Sequence, residues 1–74
     1  MRNNVIGERV KEARILHSPQ LTQEELATKL QLLGWNINRV GIAKIETGLR
    51  RVTDKEILLL VEALKVQITF LFGE

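Results

Sequence analysis

The sequence predicts an all-α protein, on three observations. Apolar residues recur at spacings of three and four along most of the chain, the period of one helix face. Two segments, Thr22-Gln23-Glu24-Glu25 and Thr53-Asp54-Lys55-Glu56, carry the Thr-x-x-Glu pattern. In that pattern a threonine hydroxyl and a glutamate carboxylate reciprocally satisfy two orphan amides at a helix start. No run alternates apolar and polar residues over a useful length, so nothing reads as a half-buried strand. At 74 residues, 45% hydrophobic and 27% charged, the chain has the balance of a folded protein and the length of one small domain, residues 1–74.

The first helix is expected after Asn4, whose side chain suits a helix start. Ile6, Val10 and Ala13 supply its apolar stripe, with Glu8, Arg9, Lys11 and Glu12 between them. It should end near His17, because Ser18-Pro19 disfavours continuing. The second helix runs about 22–33, capped by Thr22 and Glu25, with Leu26, Leu30 and Leu33 facing inward and Gly34 as its left-handed terminus. Trp35, Asn36 and Ile37 form a connection. Asn38 then caps a third helix, about 38–47, with Ile42 and Ile45 inward and Gly48 ending it. Leu49 to Val52 is a basic loop. Thr53 and Glu56 open a fourth helix through about Leu64, whose core face is Ile57, Leu60, Val61 and Leu64. Leu58 and Leu59 leave that helix apolar over most of its circumference. A short fifth helix is expected at about 69–72.

Charge is uneven along this plan. The formal net charge is only +2, yet Arg39, Lys44, Arg50 and Arg51 fall within thirteen residues against the single acid Glu46. A basic stretch is the footprint of a phosphate-binding surface, and equally of a solvated face. Two short helices joined by a turn, the second small enough for the DNA major groove, define a helix-turn-helix. The third helix meets the requirement of an apolar back and an open front: Ile42 and Ile45 are inward, and Arg39, Val40, Ala43 and Lys44 are left outside.

The segments Leu21-Thr22-Gln23-Glu24-Glu25-Leu26-Ala27 and Ile42-Ala43-Lys44-Ile45-Glu46-Thr47-Gly48 resemble the lambda-repressor-like (Cro and repressor, Xre-type) helix-turn-helix family. The opening Ile6-Gly7-Glu8-Arg9-Val10-Lys11-Glu12-Ala13-Arg14 and the ending from Leu64 to Gly73 extend the resemblance over nearly the whole chain. It implies a compact five-helix domain and a sequence-specific DNA-binding transcriptional regulator, of the repressor kind carried by phages and mobile elements. The helix 38–47 would enter the major groove of a palindromic operator, with two chains paired through their C-terminal helices. By the same resemblance Arg39, Val40 and Lys44 contact bases, and Gln23, Arg50 and Arg51 contact phosphates. Arg14 and Glu46 form an internal ion pair.

Three departures from the family pattern stand out. The stretch between Ala27 and Glu46 is longer than usual, with Gln31-Leu32-Leu33 adding a helical turn and Trp35-Asn36 lengthening the connection. Gly41 stands inside the reading helix, where it either permits close approach to DNA or frays the helix start. Ser18-Pro19-Gln20 replaces the commoner glycine turn.

Other functions find less support. There is no cysteine, and His17 is the one histidine, so neither a disulfide framework nor a metal cluster is expected. No nucleophile–base pair or glycine-rich phosphate loop points to an enzyme, a cofactor or a small-molecule substrate. Nor does any stretch suit a signal peptide or membrane span, and a cytoplasmic protein, nucleoid-associated when bound, is the expectation. His17 reads as a helix-end cap or a pH sensor, and Trp35 as a lid over the core or a stacking surface. At least one of Phe70 and Phe72 is expected to face a partner. A protein-binding module, such as an antitoxin or adaptor, is the alternative function.

Overall fold

The computed structural model describes residues 3–73. Five helices follow one another: α1 (Gly7–Leu16), α2 (Gln23–Leu32), α3 (Arg39–Glu46), α4 (Asp54–Leu64) and α5 (Ile68–Leu71). Among the described residues there is no strand, and no helix is long and apolar enough to cross a membrane.

The helix starts are fixed by the side chains that their sequences supply. Thr22 accepts from the Glu25 amide at 3.0 Å, while Glu25 accepts from the Thr22 amide at 2.8 Å. Thr53 and Glu56 repeat this box at the start of α4, at 3.2 and 3.0 Å. Asn38 Oδ1 accepts from the Gly41 amide at 2.9 Å and caps α3. Each such cap stabilises by about 1 kcal/mol. Asn4 serves α1 by accepting from the amides of Ile6 and Gly7. Its Nδ2 also donates to the carbonyls of Ile45 and Arg50, at 3.1 and 2.7 Å. One residue thus starts α1 and ties it to the end of α3.

Helix ends follow the expected breakers, with one exception. Gly34 and Gly48 take positive φ, 100° and 81°, as residues past a helix end commonly do. Lys65 ends α4 in the same left-handed region without being glycine, at φ 57° and ψ 46°.

The core draws one stripe from each helix. Val10, Leu26, Leu30, Ile42, Ile45, Leu60 and Leu71 are wholly buried. Trp35 and Ile37, from the lengthened connection, are buried in the same cluster. On α4, Ala63 joins Leu60 and Leu64 in the buried face, Ile57 and Val61 lie at its margin, and Leu58 is exposed. α1 meets α3 at very close range. A Cβ on Gly7 would overlap the carbonyl oxygen of Ile45 and stand 2.9 Å from that of Glu46. Glycine here is a packing requirement, and it sets how deeply α3 sits in the fold.

Candidate nucleic-acid interface

α3 divides its residues as a groove-reading helix must. Ile42, Ile45 and Glu46 are buried, whereas Arg39, Val40 and Lys44 are exposed, Val40 by 50%. An apolar back therefore anchors the helix, and a front with two cations and one branched aliphatic group faces solvent. Arginine and lysine suit guanine O6 and N7, and a valine methyl suits the methyl of thymine. Arg39 also lines an open cleft with Gln23, Thr22 and Arg14, which brings the start of α3 beside the start of α2.

The end of α3 is joined by charge to the end of α1 and, through Gln23, to the start of α2. Arg14 Nε donates to Glu46 Oε2 at 2.7 Å, and Arg14 Nη2 to Glu46 Oε1 at 3.2 Å. The pair is bidentate and buried, with side-chain exposures of 10% and 3%. Arg14 Nη1 also donates to the Leu21 carbonyl at 2.8 Å, so three donors of one guanidinium hold α1, α3 and the approach to α2 together. Gln23 Nε2 donates to Glu46 Oε1 at 3.0 Å. The buried carboxylate thereby fixes the amide of the residue that opens α2.

The basic residues after α3 are unlike one another. Arg51 is exposed. Arg50 is partly covered: Nη2 lies 3.2 Å from Glu56 Oε2, and its guanidinium lies over the Trp35 ring, 5.3 Å from the centroid. The sequence places both arginines in one basic loop: Trp35 lies on the other side of α3, and Glu56, six residues after Arg50, reads from the sequence only as the capping partner of Thr53.

Gly41 has a reason that neither sequence reading named. A Cβ there would stand 2.6 Å from Ile37 Cγ1 and 3.4 Å from Arg50 Nη1. The close approach is internal, to the lengthened connection. That connection is also held by Gln31 Nε2, which donates to the Ile37 carbonyl at 2.7 Å. Trp35 is 9% exposed and acts as a lid on the core. His17 is the C-terminal cap residue of α1, its amide bonded to the Ala13 carbonyl, and its Nδ1 donates to the Pro19 carbonyl at 2.8 Å. Phe70 lies under the guanidinium of Arg9, 3.9 Å from the ring centroid, and Arg9 Nε donates to its carbonyl at 2.7 Å. Phe72 is 45% exposed.

The helix-turn-helix family model matches residues 10–71, from inside α1 through α5. The chain belongs to this family. It is a DNA-binding transcriptional regulator of the lambda-repressor-like type. Among solved structures, it is similar to the restriction-modification controller protein C.AhdI from Aeromonas hydrophila, at 31% identity and a TM-score of 0.74, over 90% of this chain and 91% of that one. No curated protein matches the sequence.

Proposed function

We propose that this chain is an operator-binding regulator of the mobile-element kind, acting as a homodimer on a palindromic site. The observation that carries the reading is the division of α3, with Ile42, Ile45 and Glu46 buried behind and Arg39, Val40 and Lys44 exposed in front. Arg39, Val40 and Lys44 read base edges in the major groove. Gln23 and Arg51 take backbone phosphates, which set register without reading sequence. Arg50, expected to join them, is already engaged by Glu56 and Trp35. The similarity to a restriction-modification controller supports a regulator of a mobile gene cassette. Its place of action is then the chromosome, in the cytoplasm.

Pairing through the C-terminal helices is supported by apolar exposure there. Leu58, Ile68 and Phe72 are 61%, 43% and 45% exposed, and Phe72 lines an apolar cleft with Val5, Val52 and Ile57. A two-fold dimer would place its two α3 helices to meet half-sites ~34 Å apart.

Binding-site selection from a randomised duplex library tests the reading. The wild-type protein should select a palindrome. Arg39→Ala and Lys44→Ala should each relax preference at distinct positions, by about 1–3 kcal/mol per lost base contact. Unchanged selectivity in both variants would remove α3 from the role of reader.

A further inference from the structure

The guanidinium of Arg50 meets three different parts of the fold. Nη2 pairs with Glu56 in the first turn of α4, at 3.2 Å. Its Cζ lies over Trp35 in the connection before α3, 5.3 Å from the ring centroid. Nη1 occupies the space beside Gly41 in the first turn of α3, 3.4 Å from where a Cβ would stand.

Each partner is itself fixed. The other oxygen of Glu56 accepts from the Thr53 amide at 3.0 Å. Trp35 is buried, and its amide donates to the Leu30 carbonyl at 2.9 Å. The main chain of Arg50 is held too, its amide by the Lys44 carbonyl at 3.2 Å and its carbonyl by Asn4 Nδ2 at 2.7 Å.

A phosphate-binding arginine offers an unpaired charge, and its binding releases counterions from DNA. The charge of Arg50 is shared with a carboxylate, and its Cζ lies over an indole. Such a planar fork is the group that can stack and pair at once, which an ammonium cannot. A reading helix must be held within roughly half an ångström of its working pose to be selective.

We infer that Arg50 is a positioning residue: it clamps Trp35 and Glu56 across the start of α3 and so sets the angle at which Arg39, Val40 and Lys44 meet the groove. The inference rests on the DNA-binding reading of α3. It gives the lengthened connection a purpose, because Trp35 lies within that added stretch.

The experiment compares Arg50→Gln, Arg50→Lys and Arg51→Gln. Affinity is measured against salt on a duplex selected by the wild-type protein and on a random-sequence duplex. Arg51→Gln is expected to lower the slope of log K against log salt by about 0.9, as one phosphate contact does, and to weaken both duplexes alike. Arg50→Gln is expected to keep the wild-type slope and lose about tenfold of the preference for the selected duplex, the scale of one base contact. Arg50→Lys should lose that preference equally. If Arg50→Gln behaves as Arg51→Gln does, or Arg50→Lys restores wild-type selectivity, Arg50 is a phosphate ligand and the inference is overturned.

Trp35, the one tryptophan of the chain, gives a readout that needs no DNA. Its emission should shift in both Arg50 variants and in Glu56→Gln, and remain in place in Arg51→Gln. Unchanged emission in the Arg50 variants overturns the clamp whatever the DNA result. If the wild-type protein selects no duplex, the DNA-binding reading fails separately, and the clamp still stands or falls on this emission.

Discussion

Gln23 Nε2 donates to Glu46 Oε1 at 3.0 Å, on the same oxygen that accepts from Arg14 Nη2 at 3.2 Å. A side-chain amide carries two N–H groups, so one is committed to the buried carboxylate and one is left for another acceptor. The orientation of Gln23 is therefore decided in the core, before any DNA is met.

Gln23→Ala is accordingly expected to weaken binding to every duplex by roughly ten- to a hundredfold, since a hydrogen bond to a charged acceptor contributes about 1.5–3 kcal/mol. The slope of affinity against salt should stay unchanged, because no charge is removed. Fluorescence anisotropy over a salt series checks both parts. A loss restricted to one operator position would instead make Gln23 a base reader.

The Arg14–Glu46 pair has a larger effect on folding. Removing one partner leaves the other buried with an uncompensated charge, and costs about 3–5 kcal/mol. Arg14→Met and Glu46→Leu should each bring this loss in urea denaturation. The double variant should lose much less than the two together, because no charge is then stranded. The Leu21 carbonyl, which accepts from Arg14 Nη1 at 2.8 Å, keeps the double variant from reaching wild-type stability.

Much of this was legible in the sequence, for local reasons. The two Thr-x-x-Glu boxes, the cap Asn38 and the breakers Gly34 and Gly48 act within a few residues of themselves, so α2, α3 and α4 begin and end within a residue or two of where the pattern puts them. The inward stripe of α3 follows from spacing alone. Pairings that cross the chain left no local trace. Asn4 is readable as a cap, but its bonds to Ile45 and Arg50 are not. The stack of Arg9 on Phe70 and the engagement of Arg50 by Trp35 and Glu56 depend on how helices pack. Arg50 and Arg51 are neighbours of one residue type, yet tertiary packing gives them different surroundings.

Gly7 and Gly34 should respond to alanine very differently. At Gly7 a methyl would overlap the Ile45 carbonyl oxygen and come within 2.9 Å of that of Glu46, and backbone oxygens cannot rotate away. Gly7→Ala is expected to cost ~3 kcal/mol or more, above the usual range for overpacking, a large part of the stability of so small a domain. At Gly34 nothing lies within 4 Å of the added atom, and the φ of +100° alone opposes it. Gly34→Ala should cost only about 1–2 kcal/mol. Urea midpoints followed by circular dichroism separate the two.

Gly41 reverses a common rule. Glycine to alanine within a helix normally stabilises by about 1 kcal/mol. Here the new methyl would stand 2.6 Å from Ile37 Cγ1, and Ile37 is 4% exposed with little room to yield. Gly41→Ala is expected to destabilise by about 1–3 kcal/mol, the range for overpacking. A rise in the urea midpoint would show that the connection gives way easily, and that α3 is not tightly set against it.

Lys65 offers the opposite opportunity. It holds φ 57° and ψ 46° at the end of α4, a conformation that costs an L-residue about 1–2 kcal/mol and glycine nothing. Glycine also loosens the unfolded chain, which offsets part of the gain. Lys65→Gly should therefore stabilise by a net ~0.5–1 kcal/mol. The side chain lines clefts beside Lys29, Leu33 and Ala63 and beside Ala13 and Phe70, none of them a proposed DNA contact. The urea midpoint should rise while the salt slope on DNA is unchanged. A fall in that slope by about 0.9 would instead bring Lys65 against a phosphate, and would extend the proposed interface past α3 to the far end of α4.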